Sequence, residues 1–244
     1  MKGELRLGPK KTEYMARGFS TMLPIDGVGP CAVHEGLGVI IDVDLHLGPM
    51  MKHVERRGQE SWAATLTAIE MLGLPLKAAL AALQLRTTPK AVYGAELLII
   101  RGDWQSRIDA MQVRWIRRLL DLPVPVPRVV LLQEVGGPWR LSTSVLRRAL
   151  AAAARAEAAP DMTGVPAALR VAAEHETTWT AAVRAHCREL GVPTPAEWGR
   201  GAGAGAPPTS RQQRRTWARK YMRTMVDPTL QRAEAVWAQA EWAK

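Results

Sequence analysis

Apolar residues in positions 3–45 fall singly or in short runs, whereas from Pro49 onward they recur every three or four positions. Leu5 and Leu7 alternate, Gly8-Pro9 breaks the pattern, Asp26-Gly27 is a hairpin-type turn, and Leu37-Gly38-Val39-Ile40-Ile41 is a β-branched run. These features predict short strands and turns. The later period predicts helices: Trp62, Leu66 and Ile69 share one face, Gly73-Leu74-Pro75 interrupts, and Leu76, Leu80 and Leu83 share the next. A further apolar segment, Val92 to Ile100, ends at Arg101-Gly102. Asp103 then stands where an N-cap would open a helix with the stripe Ile108, Met111, Trp115 and Leu119, closed by Pro123.

The run Pro123-Val124-Pro125-Val126-Pro127 predicts an extended connector, because proline lacks the N–H a helix requires. One helix is expected over 142–158. A longer one opens at Pro166, with Leu169, Ala172, Glu176, Trp179, Val183, His186 and Leu190 at 3–4 spacing and Gly191 as its C-cap. Residues 199–209, rich in Gly, Ala and Pro, read as a linker. Ser210 can cap a basic helix beyond it, and Asp227-Pro228 would end that helix and start a last one with Leu230, Ala233, Trp237 and Ala240 on one side. No internal repeat of fixed period is present. The expected fold is mainly α with a small N-terminal β element.

Composition narrows the classes. The chain has 244 residues, of which 47% are hydrophobic and 23% charged, a balance that suits a globular protein with a sizeable core. The apolar run Ala95 to Ile100 is far shorter than the roughly 20 residues that span a bilayer, so no membrane partner is expected. The charged start, Met1 to Arg6, has no apolar h-region and does not read as a secretory signal. Cys31 and Cys187 are the only cysteines, which excludes a disulfide framework and a four-cysteine zinc site.

The formal charge is +10, from 33 Lys+Arg against 23 Asp+Glu, and residues 1–60 contribute none of it. Beyond residue 60 Arg greatly outnumbers Lys, and its guanidinium fork suits phosphate. A coding bias toward Arg, Ala, Gly and Pro together would give the same excess. Two clusters stand out. Arg114 and Arg118, with Arg107 and Arg117, flank the apolar stripe of the helix after Asp103. Arg215, Arg219 and Arg223 repeat every four residues after Ser210, with Arg211, Arg214 and Lys220 nearby and no acid before Val226. Trp217 and Tyr221 lie one turn apart beside that row, which suits phosphate contacts plus base stacking on a single strand; equally, both aromatics suit the core of an amphipathic helix.

Other chemistry is thinner. Asp42 and Asp44 follow a predicted strand and could point to one face, but no nearby Glu or His completes a metal set. Cys31 and His34 have a zinc-like spacing that would need His186 and Cys187 as distant partners. His46 and His53 have no nucleophile at a recognisable spacing.

Gly3-Glu4-Leu5-Arg6-Leu7-Gly8-Pro9-Lys10-Lys11-Thr12 looks like the Gly-Leu-x-Leu-Asn-x-x-Lys-Thr stretch after the catalytic strand of the reverse transcriptases of non-LTR (LINE-type) retroelements. Gly36-Leu37-Gly38-Val39-Ile40-Ile41-Asp42 resembles their Tyr-Leu-Gly-Val primer-grip strand, and Ala91-Val92-Tyr93-Gly94-Ala95-Glu96-Leu97 their Leu-Tyr-Gly-Ala-Glu-Leu-Trp motif. The segments 111–123 and 131–136 are similar to their Gln-x-x-x-x-Arg-x-Leu-Leu-Gly and Glu-Leu-Gly pieces. The resemblance covers residues 3 to 160.

It implies that Lys11 lies near the incoming nucleotide's triphosphate and that Leu37 and Gly38 belong to the grip on the primer strand. Catalysis in that family rests on a Tyr-x-Asp-Asp turn and an earlier Asp holding two Mg²⁺ ions, and this chain has no Asp-Asp. The implied product is a fragment: an incomplete palm edge over residues 1–50, a helical thumb-like region over 51–198, the linker, and basic C-terminal helices over 210–244. It would bind RNA or an RNA-DNA duplex, or the missing polymerase part. It would hold no cofactor of its own, be inactive as a polymerase alone, and act inside the cell, in nucleus or cytoplasm. The rival expectation is a non-enzymatic helical module that binds protein through its Trp-rich faces.

Overall fold

A computed structural model describes residues 13–14, 29–31, 33–36, 39–42, 46–122, 126–134, 140–159, 164–172, 174–175, 177–200 and 210–243. Four short strands come first: β1 (Glu13–Tyr14) pairs in parallel with β2 (Gly29–Pro30), and β3 (Val33–Gly36) pairs antiparallel with β4 (Val39–Asp42). In the second pair Val33 faces Asp42 and Gly36 faces Val39. The remainder is helical, so the expectation of a mainly α chain with a small N-terminal β element holds.

Helix α1 (Gly48–Leu72) begins with Pro49 in its first turn, where the missing N–H has no intrahelical partner to lose, and ends at Gly73 in the left-handed conformation (φ +56°). It packs beside β4, whose Ile40 N–H donates to Met50 Sδ at 3.3 Å. Trp62 stacks on Trp115 at 6.3 Å between ring centroids, joining α1 to α4 (Trp104–Leu119). The predicted α4 stripe is confirmed, with Ile108, Met111 and Trp115 buried and Leu119 half-buried. Asp103 precedes it, but its carboxylate is held by Arg101 Nε and Nη2 at 2.8 and 3.0 Å and caps nothing.

Between these two helices lie α2 (Leu76–Ala82), a π turn over Leu83–Thr87, α3 (Thr88–Val92) and a 3₁₀ turn over Ala95–Ile100. The face shared by Leu76, Leu80 and Leu83 buries only Leu83; Leu76 is exposed. Helices α5 (Arg128–Glu134) and α6 (Leu141–Glu157) follow. The predicted long helix from Pro166 is two: α7 (Val165–Ala172) and α8 (Trp179–Leu190). Thr178 breaks it. Its hydroxyl accepts the Ala181 N–H and donates to the carbonyls of Ala172 and His175, so the chain ends one helix and caps the next. Gly191 closes α8 at φ +66°, as expected.

Helix α9 (Pro195–Arg200) takes in the first two residues of the predicted linker, and 201–209 lie outside the described residues. Ser210 caps α10 (Arg211–Tyr221) reciprocally: its hydroxyl accepts the Gln213 N–H, and Gln213 Oε1 accepts the Ser210 N–H. Asp227-Pro228 does not end the helical path. A π turn over Met222–Val226 carries it into α11 (Asp227–Trp242). The other π turn also runs into a residue followed by proline, Thr88-Pro89. In each, the bond spans five residues, Thr88 N–H to Leu83 O and Asp227 N–H to Met222 O. The widened turn makes room for a pyrrolidine ring that an α turn would drive into the carbonyl four residues back.

One core runs from Met50 and Met51 through Trp104, Ile108 and Leu150 to Tyr221 and Leu230. The C-terminal helices share it with the region before the linker, and ion pairs reinforce the joint: Arg140 with Glu234 at 3.0 Å and Arg147 with Asp227 at 2.8 Å.

Candidate functional site

Helix α10 is basic from its first turn, with Arg211, Arg214 and Arg215 at the end where the helix dipole is positive and further like charges one turn apart. Both arrangements cost a few tenths of a kcal/mol per pair or position in an isolated helix. Packing holds the helix instead. Trp217 is 9% exposed and Tyr221 fully buried. With Trp198 of α9 they form a cluster whose centroids are 5.0 Å (Trp198–Trp217), 5.4 Å (Trp198–Tyr221) and 6.4 Å (Trp217–Tyr221) apart.

The Tyr221 hydroxyl donates to the Pro193 carbonyl at 2.9 Å and lies 3.9 Å from Cys187 Sγ. Burial pushes the phenol above its ordinary range and the Cys187 thiol up to about 11. The stacking role expected for Trp217 and Tyr221 is therefore corrected. Their rings are spent on the core, because the shared apolar surface of three aromatics is worth more buried than exposed, and no face is left for a base.

Packing the aromatics inward turns the arginine row outward. Arg215, Arg219 and Arg223 are exposed and line a hollow of about 400 Å³ whose opposite wall is α6, with Arg147 and Arg155. Ala151, Ala218 and Met222 complete the lining, and no acidic side chain contributes. Arg147 is anchored: its Nε and Nη2 donate to the two carboxylate oxygens of Asp227 at 2.8 and 2.9 Å, and this hydrogen-bonded carboxylate holds the guanidinium pKa above its usual value. Arg155, Arg215, Arg219 and Arg223 have no carboxylate partner among the described residues.

The remaining expected site residues are dispersed. Arg211 is exposed at the start of α10 and does not line the hollow. Arg114 and Arg118 are exposed on α4, outside it, while Arg107 is bound bidentately by Glu55 at 2.8 Å and Arg117 Nη2 donates to the Val126 carbonyl. Lys11, Leu37 and Gly38 lie outside the described residues, as does Asp44. Arg147 and Arg155 were not singled out from sequence. Their only signal is an eight-residue separation on the helix predicted over 142–158, which puts them on one side of it.

No group of three or more His, Cys, Asp or Glu side chains that could hold a metal occurs among the described residues. His186 Nδ1 is 2.9 Å from Glu189, and Cys187 faces Tyr221 in the core. His53 is buried beside Arg57, and desolvation followed by that charge lowers its pKa. No helix among the described residues is long and apolar enough to cross a membrane. Against known protein families, curated proteins and solved structures, the chain finds no match.

Proposed function

We propose that the chain binds nucleic acid through its phosphates, as the palm-end and thumb-like part of a non-LTR reverse transcriptase without an active site of its own. The observation that supports this most is the outward row Arg215, Arg219 and Arg223, which has no carboxylate partner among the described residues and faces further arginines of α6. Guanidinium groups displayed in this way exchange condensed counterions for phosphates, whatever the base sequence. With Trp217 and Tyr221 buried, contact is to the backbone and carries no base stacking. RNA or an RNA-DNA duplex is the ligand that the resemblance implies, and polymerisation would need the missing part of the enzyme.

A filter-binding titration of an RNA-DNA duplex at several salt concentrations tests it. The log–log slope should flatten by about 2 to 3 in Arg215→Gln/Arg219→Gln/Arg223→Gln. A slope unchanged by these substitutions, or no binding at low salt, overturns the proposal. The rival reading, a protein-interaction module, is favoured by the burial of the two aromatics and by the exposed apolar side chains of Met71, Leu72, Leu76 and Leu85. Under it the triple substitution changes net charge alone.

A further inference from the structure

We infer that the hollow between α6 and α10 is a site for a compact polyphosphate, gripped from both walls, with Arg147 and Arg155 as its second wall. The inference rests on the phosphate-binding reading for the α10 wall and adds the class of ligand. Arg147 and Arg155 are eight residues apart, as are Arg215 and Arg223, so each wall carries charge over about 12 Å at 1.5 Å per residue. Five guanidinium groups therefore border one hollow of about 400 Å³, and among the described residues only Arg147 has a carboxylate partner, Asp227.

Four charges with no carboxylate partner among the described residues converge on one short space and repel one another, and no acid of the described residues lines it to relieve them. A nucleic-acid strand brings one charge per about 3.4 Å of helix axis, strung along a line, so it lies against one wall more than the other. A chain of directly linked phosphates concentrates several charges in a volume that both walls reach together, and its oxygens accept the bidentate bonds a guanidinium offers. Asp227 strengthens the case. By fixing Arg147 with two hydrogen bonds, it holds that wall in place before any ligand arrives. The linked-phosphate chemistry is shared by free polyphosphate and by the 5′-triphosphate end of an RNA.

The probe is inorganic tripolyphosphate, followed by thermal melting and by competition with labelled RNA, at ionic strength matched with sulfate. We expect a saturable rise in Tm that sulfate does not reproduce, and an apparent Kd weakened roughly tenfold in Arg155→Gln, whose side chain is exposed and whose loss spares the core. Arg219→Gln should act alike from the opposite wall. A Tm response no larger than that of sulfate, or Arg155→Gln and Arg219→Gln binding tripolyphosphate as tightly as the parent, overturns the inference. If RNA binds and tripolyphosphate does not compete, the polyphosphate site falls while the nucleic-acid reading stands; if tripolyphosphate binds and no RNA or duplex does, the reverse holds. The source is separated by two RNA oligonucleotides of one sequence. Tighter binding of the 5′-triphosphorylated form assigns the site to a strand end, and equal binding assigns it to free polyphosphate.

Discussion

The Asp109 carboxylate closes the N-terminus of a helix that begins far along the chain: one oxygen accepts the Ser142 N–H and the other the Ser142 hydroxyl, both at 2.9 Å. Gln112, one turn on, accepts the Leu141 N–H at 2.7 Å. Helix α4 thus caps α6 through two side chains on its buried face, and α6 in turn presents Arg147 and Arg155 to the hollow. Asp109→Ala should cost about 2–4 kcal/mol, because a buried N–H loses its acceptor and Arg140, 3.7 Å away, loses a compensating charge. Urea melts measure this.

The same carboxylate gives a pH signature. Asp109 is 1% exposed, and burial raises its pKa above the ordinary 3.8, outweighing the Ser142 bonds and the Arg140 charge. A raised acid pKa means that the folded state keeps the proton longer, so stability is greatest below the unfolded pKa and falls as pH rises from 3.8 through the folded value. Asp109→Asn keeps an acceptor for the Ser142 N–H but cannot ionise. The stability difference between parent and variant should therefore move against the parent as pH rises through that window. A difference that is flat with pH would mean the group ionises as freely folded as unfolded, and one that moves the other way that it ionises more freely folded.

Gly58 sits where α1 meets α4. A Cβ there would lie 2.9 Å from Met111 Sδ and 3.1 Å from Trp115 Cζ2, and both side chains are buried. In an open helix, Gly→Ala would gain about 1 kcal/mol of propensity. Here overpacking of about 1–3 kcal/mol opposes it, and the crowding should win, so Gly58→Ala lowers the urea midpoint. Near-ultraviolet circular dichroism from the Trp62–Trp115 pair should change with it.

How much of this was legible in the sequence differs by feature. The α4 stripe, the interruption at Gly73 and the caps at Gly191 and Ser210 follow from local chemistry, and all are found in the structure. The break before α8 was hidden because apolar spacing stays in phase across it, while the decisive bonds belong to one threonine hydroxyl. The π turns, five residues each, are too short to set a period of their own, and the proline that follows each is their one local mark. Trp217 and Tyr221 are the sharpest case. Their one-turn spacing fits both base stacking and core packing, and contacts from outside α10, with Trp198 above all, decide between them. The second arginine wall is likewise a tertiary fact, since nothing in residues 141–157 says which helix they will face.

For the aromatic cluster the expected effects are on folding. Trp217→Ala should cost about 3–5 kcal/mol by opening a cavity beside Trp198 and Tyr221. Tyr221→Phe should cost about 1 kcal/mol, the worth of its bond to the Pro193 carbonyl. Neither should alter the slope of binding against salt once the protein is folded, because neither ring lines the hollow. A Tyr221→Phe variant of unchanged stability and weakened nucleic-acid binding would contradict the burial.

Cys187 reports on the same core from beneath. It is fully buried, and burial lifts its thiol to about 11 from the ordinary 9.0, outweighing the Tyr221 hydroxyl that favours the thiolate. The folded state therefore holds this proton more tightly than the unfolded chain, so the thiol favours folding below 9.0, and that contribution is lost as pH rises toward 11. Near pH 8 an alkylating reagent needs a thiolate, and Cys187 offers almost none until the helices separate. Labelling at that pH should be slow and should accelerate with urea in step with the loss of helical signal; Tyr221→Phe should speed it by roughly the fivefold that 1 kcal/mol of lost stability implies. Fast labelling of Cys187 in the folded protein would mean that α8 and α10 part without global unfolding, and the α10 wall of the hollow would then have to be treated as a moving element.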